Sequence, residues 1–193
     1  PTKWHYYYLY VIIDVYSRYV VGWLIAERES AELAEELIAQ TCQKHGVQPA
    51  QLTLHADRGS AMRSKTVALL LSDLGVTKSH SRPYTPNDNP YSEAQFKTMK
   101  YRPDFPAQFG SLLDARLWAR TFFAWYNHDH YHSALGLLTP ATVHFGQAQA
   151  VQNKRHRILQ QAYERHPERF VRGRPNLTAL PTEVWINQLE PTE

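Results

Sequence analysis

Two stretches rich in Tyr, Val and Ile, Tyr6–Tyr16 and Tyr19–Ala26, are separated only by the turn Ser17-Arg18, and from there to His80 the chain alternates helix with strand. β-branched and aromatic side chains suit a pleated, half-buried surface better than a helix. The two stretches are therefore predicted to form a hairpin whose first strand is buried on both faces. Ser30 reads as the N-cap of a helix that runs to about His45, with Leu33, Leu37, Ile38 and Thr41 as its inward stripe and Gly46 as its stop. Leu52–Ala56 is a short strand ending at Asp57, Arg58-Gly59-Ser60 a turn, Ser64–Leu74 a helix stopped by Gly75, and Val76–His80 another strand. A hairpin followed by this alternation specifies an α/β sheet with mixed strand directions.

The second half is patterned for helices. Arg82–Pro90, with three prolines and two asparagines, is a loop, and Ser92 is the expected cap of a helix from Glu93 to about Tyr101. Leu112–Asn127 places Trp118, Phe122 and Trp125 at i, i+4 and i+7, a spacing that predicts core packing. A short helix is expected at Ala141–Phe145 and a longer one at Val151–His166, followed by an extended arm over Arg172–Pro181 and Glu183–Gln188. Composition turns polar and basic at Gln147, so the expected division is a core over residues 1–146 and a basic helix and arm over 147–193.

Composition excludes several classes. With 43% apolar residues in 193, there is ample material for one core. The longest mostly apolar run, Leu9–Ile13, is far short of the ~20 residues a spanning helix needs. The lone Cys42, expected to be a small buried residue, rules out an internal disulfide framework and a Cys-rich zinc site. Pro1–Tyr8 has no charged start followed by an apolar stretch, so no secretory signal is read there and a cytoplasmic protein is expected. The net charge of +3 hides an uneven layout. Residues 1–50 carry four Lys/Arg against six Asp/Glu, residues 58–102 eight against three, and residues 152–174 seven against two. Two basic stretches point to a polyanionic partner, nucleic acid first, although solvated surface accounts for charge runs equally well.

The acidic residues narrow the chemistry. Asp57 stands at a strand end that enters a Gly-containing turn, where ligands sit in α/β sheets. Glu93 begins a helix with thirty-five residues between it and Asp57, and a β-α-β crossover brings its strand ends to one edge. Converging carboxylates without cysteine favour Mg²⁺ or Mn²⁺, and a pair of such ions serves phosphoryl transfer. At about 100° per residue, Lys97 and Lys100 share the face of Glu93, while Phe96 and Met99 point inward. The alternative is an Asp bonding its own turn and a surface Glu–Lys pair that contributes about 0.3–0.5 kcal/mol.

These residues lie in recognisable motifs. His55-Ala56-Asp57-Arg58-Gly59-Ser60 resembles the second-aspartate motif of retroviral-integrase-like (DDE) transposases. Asn87-Asp88-Asn89-Pro90-Tyr91-Ser92-Glu93-Ala94-Gln95-Phe96-Lys97 resembles their asparagine loop and glutamate helix, at the family's Asp–Glu spacing. Asp14, Ser17-Arg18 and Val21-Gly22-Trp23 in the hairpin, Trp125-Tyr126-Asn127, His132-Ser133-Ala134-Leu135-Gly136 and Thr139-Pro140 match bacterial insertion-sequence transposases in order, over about residues 5–146. The resemblance implies an RNase H-like fold and metal-dependent cleavage and strand transfer of double-stranded DNA, both transposon ends and target. It implies two Mg²⁺ (or Mn²⁺) held through Asp57 and Glu93, and DNA contacts from Lys97, Lys100, Arg58, Asn87 and Asn89. A homo-oligomeric synaptic complex is implied as well.

The family's third carboxylate belongs to its first strand, in a Trp-Asp-Ile/Leu-Thr-like motif that this sequence does not contain. Tyr6–Tyr16 corresponds to the second strand, so the expectation is a core lacking one metal ligand and one central strand, inactive or weakly active. Asp14 is the candidate replacement, but an Asp before Ser17-Arg18 is placed to bond the turn or pair with Arg18. Two alternatives stay open: an inactive fragment that binds DNA or sibling subunits, and another RNase H-like metal nuclease such as an RNA-strand hydrolase. His128, His130 and His132 have a spacing conceivable for a transition metal, yet they fall in a helix-connecting motif. His55 either packs or lies near the site. The C-terminal arm offers seven basic residues for phosphates, or Val184-Trp185-Ile186 for a neighbouring subunit.

Overall fold

A computed structural model describes residues 6–56, 61–81 and 89–186. They fall into two compact units. The first holds the described residues up to Ile13, Val20–Phe122, and Trp185 with Ile186; the second holds Asp14–Tyr19 and Phe123–Val184.

In the first unit β1 (Tyr8–Ile13) pairs antiparallel with β2 (Val20–Ala26), Val11 opposite Trp23, with a register shift between Ile12 and Ile13. The connection is longer than a two-residue turn, because Arg18 adopts a positive φ of 63° and its amide returns to the Asp14 carbonyl at 2.7 Å. Helix α1 (Ala31–Lys44) begins as expected: the Ser30 hydroxyl accepts from the Leu33 amide at 3.3 Å. Tyr10 fixes that cap from β1, since its hydroxyl accepts from the Ser30 amide at 2.8 Å. The helix lies so close to β2 that a Cβ on Gly22 would meet the Thr41 hydroxyl at 2.2 Å. Only the residue without a side chain permits that approach. Ala34, Leu37, Ile38 and Thr41 are the buried face of α1, and Leu33 is half-buried. Cys42 is half-buried too, packed against the core, and burial raises its thiol pKa.

Strand β3 (Thr53–Ala56) pairs in parallel with β4 (Thr77–His80), Thr53 opposite Thr77, through helix α2 (Lys65–Asp73), which Ser64 caps. Among the described residues β1-β2 and β3-β4 are two separate two-stranded sheets. Side chains, not a hydrogen-bonded ladder, unite them. Tyr10 and Ile12 from β1 and Leu54 from β3 pack on one cluster of Ala34, Ile38, Ala61, Val67, Leu71 and Val76.

Helix α3 (Pro90–Lys100) starts earlier than the expected Ser92 cap. Pro90 takes the first helical position, where its fixed φ is already helical and its missing N–H costs nothing. Helix α4 (Leu112–His128) buries Ala115, Ala119, Phe122, Phe123 and Tyr126, with Trp118 and Trp125 half-buried on the flanks of that stripe. In the first unit the Trp118 ring stacks on Phe122 at 5.2 Å and receives the edge of Phe105 at 5.1 Å. The Arg116 guanidinium donates twice to the Ile25 carbonyl, at 3.0 and 2.9 Å, fixing α4 to the end of β2.

The second unit is helical. Thr139 caps α5 (Pro140–His144), and α6 (Ala148–Arg165) follows. Leu135, Leu138, Val143 and Ala148 form its core, with Val151 and Leu180 against them. The arm from Arg172 to Ile186 has no regular secondary structure, and residues 187 and 188 lie outside the described residues. No described helix is long and apolar enough to cross a membrane.

Candidate active site

Glu93 sits in the first turn of α3, its amide bonded to the Asn89 carbonyl at 3.2 Å. Its carboxylate is exposed, and no described residue donates to it or pairs with it. Lys97 and Lys100, one and two turns on, are exposed as well and form no ion pair with it. The surface Glu–Lys pair is therefore not formed, and an oxygen donor set free of competing cations is what a hard divalent ion requires. Asn89 occupies the N-cap of α3 without a side-chain capping bond, leaving its amide uncommitted to the helix. Asp57, Arg58 and Asn87 lie outside the described residues.

The inward face of α3 differs from the sequence expectation. Met99 is buried and Phe96 half-buried, but the most buried side chain of the helix is Gln95, at 1% exposure. Neither its amide nitrogen nor its oxygen has a hydrogen-bond partner. An unpaired buried polar group costs about 1–3 kcal/mol, whereas an apolar group of similar shape costs nothing of the kind. Gln95→Met is thus expected to raise the unfolding free energy by about 1–2 kcal/mol, read by urea denaturation. Tyr91, at the second helical position, donates its hydroxyl to the Trp185 carbonyl at 3.0 Å. Hydropathy periodicity signals neither residue: Gln reads as surface, and the Tyr91 contact joins positions 94 apart.

Asp14 belongs to the other unit, and its carboxylate is in use. Oδ1 accepts from the Tyr16 amide at 3.0 Å, and Oδ2 accepts from the Ser17 hydroxyl at 2.5 Å and faces His144 Nδ1 at 2.9 Å. Tyr19 stacks on the His144 ring at 4.4 Å. Partial burial pushes the Asp14 carboxyl up, but the bonds from Ser17, His144 and Tyr16, with the His144 charge, hold it below the ordinary carboxylate value. Arg18 carries its guanidinium to the Val15 carbonyl, within the same turn.

The histidines are structural in their contacts. His55 engages both ring nitrogens with serines, Nδ1 with Ser79 at 2.8 Å and Nε2 with Ser81 at 3.3 Å. The His132 backbone builds the Ser133–Leu135 turn and bridges Leu138. Burial, with His130 and Arg18 nearby, pushes the His132 imidazole down to about 4, so it is neutral at pH 7. No group of three or more His, Cys, Asp or Glu that would hold a metal occurs among the described residues.

Two family models, each described as an integrase core domain, match residues 1–86 and 74–140. This chain belongs to the integrase core family. A transposase for insertion sequence element IS904 of Lactococcus lactis is 34% identical to this integrase core over 141 residues, 72% of this chain and 55% of that protein. A putative transposase for insertion sequence element IS986/IS6110 of Mycobacterium tuberculosis is 26% identical over 140 residues, 69% of this chain and 50% of that protein. The integrase core thus spans about half the length of the curated relatives it matches. The catalytic core domain of BIV integrase superposes with a TM-score of 0.57 at 21% identity, covering 77% of this chain and 92% of that one. The fold is RNase H-like, as the resemblance to integrase-like transposases implies.

Proposed function

We propose that this integrase core acts in DNA transposition, catalysing metal-dependent cleavage and strand transfer of duplex DNA. The observation that carries the reading is Glu93: an exposed, unpaired carboxylate in the first turn of α3, followed on its own face by two unpaired lysines. Asp57 and Glu93 are the residues to hold divalent cations. Mg²⁺ or Mn²⁺ bound there would activate the attacking oxygen and stabilise the leaving one. Lys97 and Lys100 would seat phosphate oxygens beside the carboxylates, with Arg58, Asn87 and Asn89 positioning the strand. The attacking group is a water in cleavage and a DNA 3′-hydroxyl in joining, with no covalent bond to the protein. The substrates are transposon ends and target DNA, encountered in the cytoplasm, and the working form is a multimer. In support, one structure with a TM-score of 0.51 to this chain is an intasome, that of simian T-cell lymphotropic virus.

A second reading, a core that binds DNA or sibling subunits without cutting, is favoured by the state of Asp14. None of the residues in β1, β2, β3 or β4 is acidic, and the Asp that follows β1 is committed to its turn and to His144. Nicking of supercoiled plasmid with Mn²⁺ by the parent chain, Asp57→Asn, Glu93→Gln and Asp14→Asn decides between them. Weak nicking that survives only in the parent and Asp14→Asn supports the first reading with Asp14 as a turn residue. Loss in a folded Asp14→Asn would make Asp14 the third ligand, and DNA binding with no nicking by any of the four supports the second reading. Preferential hydrolysis of the RNA strand of a hybrid would instead mark a different RNase H-like nuclease.

A further inference from the structure

Helix α6 and the turn after it lie beyond residue 140, where the matched family models end. Its two faces are built for different tasks. On the inner face Arg155 donates to the carbonyls of Gly136 and Leu137, at 3.1 and 2.8 Å, and lies over the Tyr131 ring. Gly136 and Leu137 both have positive φ, so Arg155 is the clasp of a strained turn. Gln152 on the same side donates to the Thr178 carbonyl at 3.2 Å.

The other cations do nothing of this kind. Lys154, Arg157, Arg165, Arg169, Arg172 and Arg174 are exposed, and none of their side chains makes a hydrogen bond or ion pair with a described residue. The acids among them are engaged elsewhere: Glu164 accepts from Gln160 at 2.9 Å and Glu168 from His166 at 3.2 Å. Lys154, Arg157 and Arg165 fall within an arc of about 80° on α6, along about 16 Å of its length. Tyr163 meets Phe170 edge to face at 5.4 Å, which holds the Pro167–Arg169 turn, and with it Arg169, against the end of the helix. A helix-dipole role accounts for Arg165 in the last turn but not for Lys154 or Arg157 in the interior. Three cations on one ridge of α6, with Arg169 at its end and Arg172 and Arg174 next in the chain, are costly to gather without a polyanion to meet them.

We propose that this ridge is a second, sequence-independent DNA surface, contacting the phosphate backbone of duplex DNA through the second unit. The inference rests on the reading of the chain as a DNA-acting protein. About 16 Å of duplex axis carries roughly ten phosphates, more than enough for Lys154, Arg157 and Arg165. Binding is through charge alone, so it carries no base preference and weakens steeply with salt.

The test is anisotropy of a labelled duplex of arbitrary sequence, titrated with NaCl, using the full chain and a variant with the six residues changed to Gln and Arg155 kept. The slope of log K against log salt should fall by about 5, at about 0.9 per cation lost. The double variant Lys154→Gln, Arg157→Gln should lose about 2, which keeps the test decisive if the six-fold variant does not fold. An unchanged slope in a folded variant overturns the surface, as does a loss confined to duplex RNA. Plasmid nicking on the same preparations separates this proposal from the one above. Binding that follows the six cations without Glu93-dependent nicking overturns the chemistry and leaves the ridge standing, whereas the reverse result overturns the ridge alone.

Discussion

Glu93→Gln is expected to lower Mn²⁺-dependent nicking about a thousandfold, to the background of the assay. A metal-held transition-state charge is worth several kcal/mol, and about 4 kcal/mol corresponds to a factor of about a thousand. The carboxamide keeps the shape of the side chain and its place in α3, but not the charge that retains a hard cation. Because Glu93 is exposed and makes no bond to a described residue, the change should leave the unfolding free energy within about 0.5 kcal/mol of the parent. That separation makes the result interpretable. A second readout needs no catalysis: Mn²⁺ binding only the native state raises the parent's melting temperature, and the rise should shrink in Glu93→Gln. A variant with parental nicking and a parental Mn²⁺ shift would remove Glu93 from the site.

Asp14→Ala is expected to act in the opposite sense, on stability. It leaves the Tyr16 amide, the Ser17 hydroxyl and His144 Nδ1 without their shared acceptor. Ser17 is fully buried and the Asp14 side chain is 31% exposed, so water replaces only part of what is lost. Bonds to an ionised acceptor contribute about 1.5–3 kcal/mol, and about 2–3 kcal/mol is expected here at pH 7. The carboxyl is held below its ordinary value in the folded chain. Its stabilisation is therefore complete above the unfolded-state value and is lost as pH falls through the folded one. Denaturation curves of parent and variant should differ fully at pH 6–7 and converge below about pH 4. A difference that grows on acidification would contradict this role.

What the sequence disclosed and what it hid divide along a physical line. Ser30, Ser64, Gly46 and Gly75 announce helix ends because capping is settled within three or four residues. The order of strands and helices is equally local, since each element's period of apolar residues is its own. α3 starts at Pro90 rather than after the expected Ser92 cap, because a proline that reads as a loop residue also fits the first helical position. Asp14 reads as a turn residue, and it bonds the Ser17 hydroxyl and the Tyr16 amide; its third partner, His144, stands 130 positions away with no pattern linking the two. Gln95 shows the limit most plainly, for no hydropathy rule places an unpaired amide at 1% exposure. Of the candidate residues, Glu93, Lys97 and Lys100 are exposed on α3, while Asp57, Arg58 and Asn87 fall outside the described residues.

Among the described residues of the first unit, two strand pairs rest on one side-chain cluster with no ladder between them, which leaves each pair its own opening. Opening β1-β2 breaks no backbone bond of β3-β4, and the converse holds too. Amide protons in a continuous sheet share much of their protection, because one opening event exposes neighbours across the ladder. Here the amides of Tyr8–Ile13 with Val20–Ala26 and those of Thr53–Ala56 with Thr77–His80 should exchange with deuterium as two populations, each with its own opening free energy. Asp57 follows directly on the shorter pair. Opening of that pair is then set by eight residues of parallel sheet rather than by the unit as a whole.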